Sequence, residues 1–142
     1  MNNFWKSWLT VWAWAVVLFG AVLAAFAFTA TDGLARAVFT LFGNPVPDAP
    51  DNLHRFAVGL MGCVTVGWGL TFMAAHKAAF QLTGDAAASI WKSLLVTALV
   101  WYFIDSGVSI ATGYAMNAVS NTLFFGLYLV ALFKSGALKG AS

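Results

Sequence analysis

The sequence predicts an all-α integral membrane protein: a four-helix bundle with a short interfacial helix in the first extramembrane loop. Three observations predict it. Hydrophobic residues make up 61% of the 142-residue chain and charged residues 8%, where soluble domains carry roughly 45–50% and about 25%. A small soluble fold is mostly surface and could not hide that much apolar area. Four apolar stretches each run for about 20 residues, long enough to cross the hydrocarbon core as helices, and no segment shows the alternating polarity of a membrane β-barrel strand. Soluble enzymes, disordered chains and secreted disulfide scaffolds are excluded. The length fits a single membrane domain, residues 1–142.

The first span covers about Trp8 to Ala30. It follows Lys6 in the manner of a signal peptide, but its apolar run exceeds the about 7–15 residues of a signal core and is rich in Trp, so it reads as a retained helix. Trp5, Trp8 and Trp12 fall within about 60° on one face of it. With Trp91 they read as an interfacial aromatic belt, the alternative being a docking face for another subunit or a pigment-like ring.

The loop 31–52 divides in two. Thr31 or Asp32 can cap a short helix running to Phe42, with Leu34, Val38 and Leu41 on one face. Gly43-Asn44 stops it. Pro45, Pro47 and Pro50 then enforce an extended strap, and Asp51 or Asn52 caps the next helix. The second span covers about Leu53 to Ala75. A short connection leads through Gly84-Asp85 to the third, about Ile90 to Ala111. A tight turn at Gly113 leads to the fourth, about Tyr114 to Phe133.

Charge sets the orientation. Lys6, Lys77, Lys92, Lys134 and Lys139 share one side of a four-helix topology, while Arg36, Arg55, Asp32, Asp48 and Asp51 share the other. The positive-inside rule places both termini in the cytoplasm of a bacterial inner membrane. There is no basic run, so nucleic acid is not a partner. The expected surroundings are the lipid bilayer, with other membrane subunits or further copies of the chain.

Ionisable residues inside a membrane mark sites, because an Asp at mid-span costs about 2.5–3.5 kcal/mol on insertion scales. Asp105 is the one acid within a span. Trp101, Asp105, Ser109 and Thr112 fall within a wedge of about 80° on the third span. Asn117, Ser120, Asn121, Phe124 and Tyr128 form a second wedge on the fourth. On the second span Arg55 shares a face with Gly59, Gly62 and Gly69, whose missing side chains admit a neighbouring backbone. The expected cluster pairs Asp105 with Arg55, completed by Asn117, Asn121 and Ser109 and adjoined by His54. It is a structural clasp, a site for a polar head group or small solute, or a proton relay through Asp105. An Asp105 facing lipid, or far from Arg55, would overturn the clasp and the site together.

His54 and His76 lie about 33 Å apart on a straight helix and cannot share a metal or haem within one chain. Each reads as an interfacial histidine at a helix end. Cys63 is alone, so no internal disulfide or Cys-rich metal site forms. No catalytic motif of a soluble enzyme is present, no metal ligand set stands out, and the residues assign no cofactor.

Two stretches together, His54-Arg55 with Gly59, Gly62 and Gly67-Trp68-Gly69, and Trp101 through Asp105, Ser109 and Gly113 to Asn117 and Asn121, resemble small bacterial four-helix membrane proteins of the DoxX-like type in size and layout. The resemblance covers about Leu53 to Phe133. It implies a four-helix inner-membrane fold and no particular activity. DoxX-type proteins are associated with quinone-linked redox chemistry, but nothing here marks a quinone or thiol site. The first functional expectation is a non-enzymatic accessory or assembly subunit of a larger membrane complex. The alternatives are a small oligomeric transporter or lipid- or solute-binding protein using Asp105, and a membrane enzyme acting on lipid or quinone.

Overall fold

The computed structural model describes residues 1–139. Five helices follow one another: α1 (Asn3–Ala25), α2 (Gly33–Leu41), α3 (Asn52–Phe80), α4 (Gly84–Ala111) and α5 (Ala115–Lys134). Among the described residues there is no strand. Helices α1, α3, α4 and α5 are long and apolar enough to cross a membrane. The chain is a multi-pass, all-α membrane protein with one short extra helix in its first loop.

Helix ends depart from the apolar boundaries in both directions. Helix α1 stops at Ala25 rather than near Ala30, because its last carbonyls find other donors. The Thr31 hydroxyl donates to the Ala25 carbonyl at 2.7 Å, and Arg55 Nη1 donates to the Phe26 carbonyl at 3.0 Å. Cations and side-chain donors suit this end of a helix, where carbonyls are unpaired. Helices α3 and α4 instead overrun their apolar stretches, α3 to Phe80 and α4 from Gly84. Hydropathy marks lipid depth, whereas the helix continues wherever the residues favour it, here through Ala78-Ala79 and Ala86 to Ala88.

The chain forms two compact units. One comprises Ala13–Thr71, and the other Met1–Trp12 together with the chain from Phe72 onward.

In the Ala13–Thr71 unit, α1 and α3 approach backbone to backbone. A Cβ added to Gly62 would collide with the Ala24 backbone. One on Gly20 would lie 2.6 Å from the Val66 nitrogen, and one on Gly69 2.7 Å from a Val17 methyl. Gly59 faces Ala27 in the same way. Small residues admit this separation, and in lipid close packing supplies much of what holds helices together. Gly20 is the α1 counterpart that the reading of α3 alone does not supply.

Helix α2 begins after Asp32 and ends at Leu41, and Gly43 just beyond it takes a φ of +78° that suits glycine. The Asp32 side chain makes no capping bond, because two arginines occupy it. Asp51 does cap α3: its Oδ1 accepts the His54 backbone N–H at 2.8 Å.

In the other unit α4 and α5 pack as an antiparallel pair. Gly113, at φ +86°, makes the turn. The Tyr114 N–H reaches back to the Ser109 carbonyl at 2.7 Å, closing α4 with a left-handed glycine cap. The start of α1 lies against α5. The Trp8 and Trp12 indole N–H groups donate to the Leu127 and Phe124 carbonyls at 3.1 and 3.0 Å. Trp12 is only 4% exposed and Trp91 3%, so both are core residues.

Candidate functional site

Asp105 sits six residues before the end of α4, about 9 Å along the helix. Three donors converge on its Oδ1. Asn121 Nδ2 approaches to 2.7 Å, Asn117 Nδ2 to 2.9 Å and Ser109 Oγ to 3.3 Å. The second N–H of Asn117 reaches Ser109 Oγ at 2.8 Å, and that of Asn121 reaches Ser106 Oγ at 3.4 Å. The Ser109 hydroxyl also lies 2.7 Å from the Asp105 backbone carbonyl. Helical spacing explains the set. Residues 105 and 109 stack one turn apart on α4, 117 and 121 do so on α5, and the tight turn brings the two faces together.

The two amides spend both N–H bonds inside the cluster. Among the described residues, Asp105 Oδ2 and the Asn117 and Asn121 amide oxygens accept no hydrogen bond. Asn121 is 7% exposed and Asp105 half-buried. These three donors are all neutral.

From the sequence, Asp105 is the expected partner of Arg55. Among the described residues the carboxylate partner of Arg55 is Asp32, at 3.1 Å from Nη2. Asp32 Oδ2 also takes Arg36 Nε at 3.0 Å. Arg36 reaches further, donating to the Pro47 carbonyl at 2.9 Å and the Asp48 carbonyl at 3.2 Å. One carboxylate thus joins the end of α1, the start of α2, the proline strap and α3. Asp32 is 6% exposed. Burial works against its charge, but hydrogen bonds and fields from Arg36 and Arg55 outweigh that and hold the carboxyl below its ordinary value of 3.8. The physical reason for the exchange of partners is local. Asp32 and Arg36 are one turn apart, and Arg55 is already drawn to the open carbonyls at the end of α1.

His54 is exposed and joins neither carboxylate. Its Nδ1 lies 2.8 Å from Asp51 Oδ1. Asp51 is held below 3.8 first by the His54 backbone N–H and then by the His54 ring.

His76 corrects the reading of an interfacial histidine. It is 1% exposed. Trp91, Phe72, Tyr128, Phe80 and Trp12 surround its ring with centroids 5.3, 5.7, 5.8, 6.2 and 6.3 Å away. Nε2 lies 3.4 Å from the Tyr128 hydroxyl, and among the described residues Nδ1 has no hydrogen-bond partner. The spacing Phe72, His76, Phe80 is the sequence signal for this face: aromatic rings repeat every fourth residue.

Among the described residues no group of His, Cys, Asp and Glu side chains could hold a metal between them. Cys63 is exposed and free. A shallow, open cleft of about 570 Å³ lies on α4, lined by Asp85, Ala88, Ser89, Lys92, Ser93 and Val96. Compared with known proteins, the chain matches no family model, no curated protein and no solved structure.

Proposed function

We propose that this protein is a non-enzymatic subunit of a larger membrane assembly, with α4 as the surface that receives its partner. The observation that carries the reading is the length and bareness of α4. Cross-helix bonds Ser109–Asn117, Asp105–Asn121 and Tyr102–Thr122 step along the α4–α5 pair in a steady register. The same register brings Lys92 level with Lys134, the end of α5. Residues 84–91 of α4 therefore extend about 12 Å beyond α5.

Helix α4 buries only Ala88, Trp91, Ala98, Ser106 and Ser109. Around the overshoot its uncovered face holds the cleft of Asp85, Ser89, Lys92 and Ser93. A carboxylate and an ammonium set among hydroxyls at the membrane edge suit a complementary protein segment better than lipid tails. The lysines at 6, 77, 92 and 134 favour the cytoplasm for this end, with both termini, in a bacterial inner membrane.

Native mass spectrometry after gentle extraction tests the reading on the wild-type chain and Ser89→Trp, which fills the cleft. The expected result is additional protein subunits on the wild type and their loss in the variant. A wild-type chain that emerges alone, or only with copies of itself, overturns it.

A further inference from the structure

We propose that the Asp105 cluster binds a monovalent alkali cation. The inference does not use the cleft at Asp85, Ser89, Lys92 and Ser93 on which the subunit reading places its partner, so either can fail alone. Asp105 is a carboxylate within a membrane-spanning helix whose three contacts are neutral. These neutral donors all fall on Oδ1 and bring no opposite charge to the carboxylate. In a low-dielectric setting an unbalanced charge favours a partner of opposite sign.

The cluster offers oxygen atoms and no sulfur or imidazole. Besides the carboxylate, it holds two amide oxygens that accept nothing and the hydroxyls of Ser106 and Ser109. Oxygen ligands suit hard cations. A single negative charge balances one positive charge, whereas a divalent ion would leave one in excess.

The amides supply the means of exchange. The two ends of an Asn amide have nearly the same shape, so a half-turn replaces its donor with its acceptor. As found here, Asn117 and Asn121 turn their N–H groups toward Asp105. With both amides turned, their oxygens would face the carboxylate and the serine hydroxyls around one point, and a cation would hold these acceptors together. Asp105 is only half-buried and lies about 9 Å from the end of α4.

Binding of radiolabelled sodium to the solubilised full-length protein tests the proposal, with potassium and choline as competitors. Saturable binding that sodium or potassium displaces and choline does not is the expected result, and the better competitor identifies the ion. Asp105→Asn abolishes it. Asn121→Ala weakens it by at least about tenfold, the scale of loss when even an outer, ligand-orienting partner of a metal site is removed. Asp51→Asn, outside the cluster, binds as the wild type. A wild-type chain with no saturable binding overturns the proposal without recourse to any variant. Binding that survives in Asp105→Asn overturns it equally.

Discussion

Asp32 lies in a connecting loop and takes two guanidiniums on one carboxylate oxygen. Asp105 lies inside a membrane-spanning helix and takes two amides and a hydroxyl on one carboxylate oxygen. Both are hydrogen-bonded, but only the first has cations among its partners. The difference shows what each acid does for the chain. Asp32 is a junction whose charge is needed, because two cations would otherwise stand unanswered. Asp105 is a junction whose shape is needed, because its partners require an acceptor and not an anion.

The comparison can be broken by substitution. The largest effect is expected from Asp32→Asn. It leaves Arg36 and Arg55 without a carboxylate and loosens α1, α2 and the strap together. The unfolding midpoint, followed by tryptophan fluorescence in detergent, should fall further than for any other change named here. Next comes Asn121→Leu. It removes two donated bonds from a buried position and leaves Asp105 and Ser106 short of partners, at about 1–3 kcal/mol.

Arg55→Lys sharpens the first half of the comparison. An ammonium cannot reproduce the fork that reaches both the Phe26 carbonyl and Asp32. The variant should be less stable than wild type despite its unchanged charge. Asp105→Asn is expected to have the smallest effect on stability in alkali-free buffer, within about 1 kcal/mol, because an amide oxygen still accepts from Asn117 and Asn121. A large loss there would show that the charge itself holds the helix pair.

Acid titration separates the two further. The folded-state value of Asp32 lies below 3.8. A depressed carboxyl value adds stability that is fully present above the unfolded value. It is lost as pH falls through the folded value. The wild type should therefore keep its midpoint down to about pH 4 and lose stability below it, whereas Asp32→Asn should lack that part of the acid loss. Asp51, also held below 3.8, contributes in the same direction in both proteins.

The sequence revealed these regions unequally. The four spans are legible because apolar length is a direct demand of the bilayer. Their ends are not, since α3 and α4 continue through alanine-rich turns that hydropathy does not count. The meeting of Asp105, Ser109, Asn117 and Asn121 is legible because both wedges follow helical period and a tight turn joins them. The partner of Arg55 is not, because pairing it with Asp32 depends on how a long loop closes. The local sign, Asp32 one turn before Arg36, reads as a simple surface pair until α3 is brought to it. His76 was misplaced for a related reason: ending its helix at Ala75 makes it terminal, while the continued helix carries it inside an aromatic shell.

The most direct test of this account is a pair of double-mutant cycles on the unfolding free energy, Arg55→Leu with Asp32→Asn and Arg55→Leu with Asp105→Asn. Clear non-additivity is expected in the first cycle, because Asp32→Asn already leaves Arg55 unanswered, so removing Arg55 then costs less than removing it from the wild type. Additivity within about 0.5 kcal/mol is expected in the second. Strong coupling of Arg55 to Asp105, with none to Asp32, would contradict the account.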